Sequence, residues 1–344
     1  MTSVSIDHAT PGAFYAHVPS RSSYYTIGTQ LAESGYDFFG GASFIEPVNK
    51  NDATAPNLYD LCEQVGYTFA RGYEDAQAKM DAEKMILIQQ NEGIDRTKKG
   101  NYKLPYAIDK TATDMTLPQI TEAAIQFLSQ RNDRFFLMVE GGAIDWACHG
   151  NDAGTVVREV VEFDDAIRVA YEFYKAHPDE TLIVVTADHE TGGCALGNSG
   201  YTLNLKALHY QTVSSDALTD NLKKMHDQYG KKLTWEQVRV FLTENLGLYQ
   251  QVDVTAEQDA ELRAQYKKLM KNKDASNKTL YKEIDGLSNT ALKVLNRQAK
   301  VGWTTGSHSA SAVPVFAIGV GAEQFTGWHD NSEAAPMIMK ATEM

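Results

Sequence analysis

Two short apolar runs end in residues that can do chemistry, and this constrains the chain more than any other feature. Phe135-Phe136-Leu137-Met138-Val139 leads into Glu140, and Leu182-Ile183-Val184-Val185 leads into Thr186-Ala187-Asp188-His189. Continuous apolar runs of this length read as strands buried on both faces. Such strands need helices to cover them, and helical patterns alternate with them along the chain. The spacing predicts helices over 58–65, 74–82, 118–129, 152–176 and 333–341. Further strands are expected at 36–43, 85–88 and 313–318, beside those at 134–139 and 182–185. Thr10-Pro11 reads as the N-cap and first position of a helix running through His17. The expected fold class is α/β, three layers around a central, mostly parallel sheet. In open α/β sheets ligands collect beyond the carboxyl ends of strands, which is where Glu140 and Asp188-His189 stand.

The residue types at those exits narrow the chemistry. Carboxylate oxygens and imidazole nitrogens are what hold zinc and similar divalent ions. Asp145 and His149 are i and i+4, so they share a face where the segment after Glu140-Gly141-Gly142 is helical. A third cluster, Thr305-Gly306-Ser307-His308, adds another histidine. Taken singly, an Asp-His pair after a strand is most often a capped turn. A lone histidine among Ser, Thr and Gly is most often a solvated loop residue. Three such clusters in one chain point to a metal site.

The run from Val139 to His149, then Val184-Val185-Thr186-Ala187-Asp188-His189, then Thr305-Gly306-Ser307-His308, resembles the alkaline phosphatases, in this order. The opening Val4-Ser5-Ile6-Asp7-His8-Ala9-Thr10-Pro11-Gly12-Ala13, followed by His17-Val18-Pro19-Ser20-Arg21, resembles the segment just after that family's nucleophile. The resemblance covers nearly the whole chain apart from a divergent stretch at about 198–300. It implies an alkaline-phosphatase-like fold, two zinc ions and one magnesium ion. Asp145, His149 and His308 would hold the first zinc, Asp188 and His189 the second, and Thr10 and Glu140 would contribute to magnesium. Arg21 matches the family's phosphate-binding arginine, whose planar fork suits bidentate contact. His8 and Trp146 fall at positions that vary within the family and tune the site rather than define it; Trp146 reads first as a packing residue. The implied reaction is hydrolysis of phosphate monoesters to an alcohol and inorganic phosphate, by a homodimer that is periplasmic or secreted.

The family's nucleophilic serine, and an aspartate bridging the second zinc and magnesium, precede the segment matching Thr2-Ser3-Val4-Ser5. The expectation is therefore an N-terminally truncated member that lacks its nucleophile, turns over little by itself and exposes a strand edge at 4–6. The first residues also lack the basic and apolar regions of a signal peptide, which leaves the compartment open. Two other readings remain: a phosphodiesterase of the same superfamily, and an inactive fragment that binds metal or phosphate.

With 344 residues, 43% of them hydrophobic, the chain can bury the core of one large domain spanning 1–344. A net charge of −13 argues against nucleic-acid binding, and no apolar run reaches transmembrane length. Cys62, Cys148 and Cys194 show neither metal nor disulfide spacing, and Cys148, although beside His149, is expected as a buried free thiol. The stretch at about 199–300 differs in texture, being rich in lysine and glutamate. Capping-box patterns start at Thr234 and Thr255, and Gly247 reads as a helix end. Its apolar positions are sparse. It reads as a helical insertion lying over the sheet domain without a core of its own, as a lid, a dimer contact or a surface decoration.

Overall fold

The computed structural model describes residues 1–89, 96, 98, 100–131, 134–198, 200–271, 276–278 and 282–342 of an α/β protein. Ser199, where the expected insertion begins, lies outside the described residues. The chain divides into two units, Met1–Ala143 with Val160–Pro178, and Ile144–Glu159 with Asp179–Met344.

The first unit carries helices α1 (Ala9–Ala13), α2 (Tyr24–Glu33), α3 (Leu58–Gln64), α4 (Tyr73–Ala78) and α5 (Leu117–Ser129), with strands β1 (Phe38–Gly41), β2 (Tyr67–Arg71) and β3 (Lys84–Ile88). The strands form a parallel sheet in the order β1-β3-β2, with Phe38 opposite Met85 and Tyr67 opposite Lys84. Side chains alternate across a strand, so the apolar run of β3 serves both faces. Ile86 and Ile88 pack with Ile27, Leu31, Leu58 and Tyr59 from α2 and α3. Met85 and Leu87 pack with Ala76, Ile120, Ala124 and Phe127 from α4 and α5. Helices thus cover both faces of this small parallel sheet. Helix α2 and strand β2 were not expected. The helix forms from an unpromising Tyr-Tyr-Thr-Ile-Gly run because Ile27 and Leu31, four apart, both face the core. Gly28 lets the helix approach, since a Cβ there would lie 2.2 Å from Leu58 Cδ1. Helix α1 starts two residues earlier than expected, capped at His8, and stops at Ala13. Pro11 fits at its third position because the first four helical amides have no intrahelical acceptor.

Residues 1–6 are not an exposed edge. Thr2 N donates to Gly40 O, Ala42 N to Val4 O and Ile6 N to Ser43 O on one side; Ser3 N donates to Glu140 O and Glu140 N to Met1 O on the other. Val4 and Ile6 are buried as a result. The strand expected at 134–139 does not form; the residue after it, Glu140, makes a single bridge with Thr2.

Helix α6 (Gly142–His149) follows, and then the long helix α7 (Ala153–Ala176). The second unit holds strands β4 (Leu182–Val185), β5 (Glu190–Thr191) and β6 (Ala195–Leu196), then helices α8 (Ser215–Tyr229), α9 (Trp235–Leu246) and α10 (Ala256–Leu269). A small hairpin, β7 (Asn277–Lys278) and β8 (Glu283–Ile284), leads to α11 (Gly286–Ala299). The chain then runs through β9 (Val301–Gly302), β10 (His308–Ser309), β11 (Phe316–Gly319) and α12 (Ala334–Thr342). The expected strands at 182–185 and 313–318 pair with each other, β11 antiparallel to β4. Parallel pairing of strands, among the described residues, is confined to the three strands of the first unit.

The helical stretch corrects one expectation. It builds its own core, in which Leu218, Leu222, Trp235, Val238, Leu242, Leu246, Leu262, Leu287, Leu292 and Leu295 are buried together. Its apolar residues are few, but the buried ones of a helix fall on one stripe; in α9 these are 235, 238, 242 and 246. Four narrow stripes facing one another make a core that a count of apolar residues underestimates. The capping boxes at Thr234 and Thr255 form as read, and Gly247 ends α9 in the left-handed region at φ 69°.

Candidate metal centre

The second unit brings five of the sequence-derived residues into one cluster. Helix α6 presents Asp145 and His149 on one face, with Asp145 Oδ1 3.4 Å from His149 Nε2. The same oxygen lies 3.7 Å from His308 Nε2. Strand β10 carries His308 and pairs antiparallel with β5, which sets His308 opposite Thr191. His189 stands just before β5, and its ring stacks on that of His308 with centroids 3.6 Å apart. Ligand atoms of Asp145, His189 and His308 all lie within 4.8 Å of one another. Around a tetrahedral zinc at ~2.05 Å such atoms would be about 3.3 Å apart, so small side-chain rotations close the cluster on an ion. Asp188, an exposed carboxylate, reaches the same place through an oxygen 3.3 Å from His189 Nε2.

The surroundings of the rings suit a metal. His149 is 5% exposed, and its Nδ1 is 2.7 Å from Gly306 O. A carbonyl only accepts, so Nδ1 carries the hydrogen and Nε2 turns toward Asp145. Metal-binding histidines are commonly oriented in this way, by donating their other ring N–H to a carbonyl or carboxylate. His189 Nδ1 is 3.2 Å from Thr191 Oγ1, and that hydroxyl donates to Asp145 Oδ1 at 2.6 Å. Thr191, 8% exposed, is a site residue that the sequence reading missed. A signal existed: residues two apart in an extended segment share a face, and Thr191 follows His189 by two. Glu190 closes the turn beyond β5, its Oε1 accepting from Gly193 N at 2.8 Å.

Cys148 beside His149 is not among the converging ligand atoms. Burial, and to a lesser degree Cys194 and nearby carboxylates, push its thiol up to about 12. Trp146 is buried on the same helix, 7% exposed, as a packing residue would be.

The remaining expected residues belong to the first unit. Thr10 lies in α1, and exposed Arg21 lies before α2. Arg21 Nη2 is 3.4 Å from Nε2 of buried His8. Burial first, and the Arg21 charge second, lower the His8 pKa to about 4, so the ring is neutral near pH 7 and can accept from the guanidinium. Glu140 Oε2 accepts from Thr2 Oγ1 at 2.5 Å, and the Thr2 hydroxyl in turn accepts from Val4 N at 3.0 Å. A Cβ at Gly142 would come within 3.0 Å of the Glu140 carboxylate, so glycine there makes room for it.

The model of one protein family, described as alkaline phosphatase, matches residues 99–344. Alkaline phosphatase 4 of Bacillus subtilis is 29% identical over 97% of this chain and 65% of its own length. The chain thus spans about two thirds of that relative. The cold-active alkaline phosphatase of a psychrophilic Shewanella species superposes with a TM-score of 0.74 at 27% identity, covering 99% of this chain and 74% of its own. A mutant alkaline phosphatase of the Antarctic bacterium TAB5, solved with Mg bound, gives a TM-score of 0.60 at 24% identity, covering 99% of this chain and 70% of its own.

Proposed function

The chain belongs to the alkaline phosphatase family, and on that premise we propose that it carries the metal- and phosphate-binding residues of a metal-dependent phosphomonoesterase. The convergence of Asp145, His189 and His308, with His149 oriented by the Gly306 carbonyl, is the observation that supports this most. Asp145, His149 and His308 are assigned to one zinc, and Asp188 and His189 to a second beside it. Thr10 and Glu140 are assigned to magnesium, the ion named for the TAB5 enzyme. Bound metal ions of this kind supply positive charge that neutralises a phosphoryl group and activates an oxygen nucleophile.

The chain's own residues do the positioning. Arg21 offers a planar pair of N–H donors to two phosphoryl oxygens, and neutral His8 behind it restrains the guanidinium without competing for the anion. Phosphoryl transfer depends mainly on such positioning and charge neutralisation. In the family the nucleophilic serine precedes the segment matching Thr2–Ser5, so the residues above bear on metal and phosphate binding rather than on the covalent step. The substrate is read through its phosphoryl group, and a homodimer is the assembly the family implies. No helix among the described residues is long and apolar enough to cross a membrane.

Equilibrium dialysis with zinc tests the assignment. The purified protein should bind zinc, and His308→Ala should weaken it by about tenfold or more, as loss of one of three protein ligands requires. Equal stoichiometry and affinity in wild type and variant would remove His308 from the site. Hydrolysis of a phosphate monoester and a diester by the protein then separates monoesterase from diesterase.

A further inference from the structure

Thr191 stands between residues assigned to two different ions. Its hydroxyl donates to Asp145 Oδ1 at 2.6 Å and lies 3.2 Å from His189 Nδ1. A hydroxyl has one hydrogen to give, and Asp145 takes it. What Thr191 turns toward His189 is therefore a lone pair, which can only accept. The hydrogen between them then belongs to Nδ1 of His189, and the order of donation is fixed: His189 Nδ1–H to Thr191 Oγ1–H to Asp145 Oδ1. This leaves Nε2 of His189 as the free ligand atom, on the side where Asp188 Oδ2 lies 3.3 Å away.

The backbone holds this arrangement in place. Thr191 is paired across the β5–β10 ladder with His308, and Gly192 N donates to Ser307 O at 2.9 Å. Thr191 thereby touches two of the three converging ligands and sits opposite the third. His149 reaches the same tautomer through a backbone carbonyl, which no side-chain substitution removes. His189 depends on one side-chain hydroxyl.

We propose that Thr191 is a positioning residue that ties the two zinc sites together, orienting Asp145 for one ion and fixing His189 in the Nδ1–H tautomer for the other. The proposal rests on the zinc reading above and adds to it a residue that binds no metal. Outer hydrogen bonds of this kind are worth about 10- to 100-fold in metal affinity. Because one hydroxyl serves both ligands, its loss weakens both sites at once, whereas losing a ligand of one site weakens mainly that site.

The test compares wild type, Thr191→Val, which keeps the shape and removes the hydroxyl, and Thr191→Ser, which restores it. Long-range proton–nitrogen spectra of the metal-free protein, with His189 assigned by its absence in His189→Gln, report the tautomer directly. Wild type and Thr191→Ser should show His189 as Nδ1–H, and Thr191→Val should lose that form. Zinc titration should show both sites weakened about 10- to 100-fold in Thr191→Val and recovered in Thr191→Ser. An unchanged tautomer in Thr191→Val overturns the proposal. So does normal zinc affinity in Thr191→Val when His308→Ala is weakened, an outcome that leaves the zinc reading standing. Zinc binding insensitive to His308→Ala and Thr191→Val alike would sink both.

Discussion

Asp7 gives the sharpest link between burial and stability. It is fully buried, with Oδ2 accepting from Ile45 N at 2.8 Å. Burial raises its pKa from 3.8 to about 7, only partly offset by the Ile45 amide and other hydrogen bonds. The folded state therefore holds the Asp7 proton more tightly than the unfolded chain does. The stability this contributes is whole below about pH 4 and is lost as the pH rises through about 7, at up to ~1.4 kcal/mol per pH unit. The total loss is about 4 kcal/mol, of which about 3 kcal/mol falls between pH ~5 and pH ~8. Asp7→Asn keeps an oxygen for the Ile45 amide and removes the titration. Urea unfolding of metal-free protein, followed by circular dichroism, should show the variant gaining on wild type by about 3 kcal/mol between pH ~5 and pH ~8. An equal gap at the two pH values would mean that Asp7 does not ionise in a buried place, and the reasoning would fail.

Three further outcomes are expected. In zinc-loaded protein, Arg21→Ala should weaken inorganic phosphate binding by about tenfold in calorimetric titration, since charge-assisted contacts to an anion are worth ~1.5 kcal/mol or more, while zinc stoichiometry stays the same. Glu162→Ala should lower stability by about 3 kcal/mol in urea unfolding, because it leaves Lys110 buried without its carboxylate and Leu117 N without its acceptor. Gly193→Ala should lower both the melting temperature and zinc affinity: Gly193 sits at φ 58°, and a Cβ there would lie 1.8 Å from Thr304 Oγ1, forcing the turn after β5 to move. A variant with wild-type melting and zinc binding would show that this turn does not hold the cluster.

Much of the site was legible because its signals are local. The i, i+4 spacing of Asp145 and His149 is a property of helix α6 alone. Asp188-His189 follows an apolar run that does form β4. The capping boxes likewise needed only four residues each. What could not be read depended on contacts distant in sequence. Whether Val4 and Ile6 lie on an edge is decided by Gly40, Ala42 and Glu140, which no pattern in residues 1–6 foretells. The core of the helical stretch needs four stripes to face one another, and each stripe alone is too thin to announce it. Strand direction was equally hidden, since an apolar run such as 313–318 carries no mark of whether its partner will be parallel or antiparallel.

Thr191 shows why the gap falls where it does. A metal ligand must be one of a few residue types, so ligands leave a chemical trace in the sequence. A residue that orients ligands needs only a donor and an acceptor at the right distance, and threonine offers these in countless unrelated places. Its role exists only once β5 and β10 pair and α6 brings Asp145 alongside. Sequence reading will therefore recover the atoms that touch the ion sooner than the atoms that decide which nitrogen does the touching. In this chain the groups placed to make that decision are the Gly306 carbonyl for His149 and, on the proposal above, the Thr191 hydroxyl for His189, and only the hydroxyl is open to mutation.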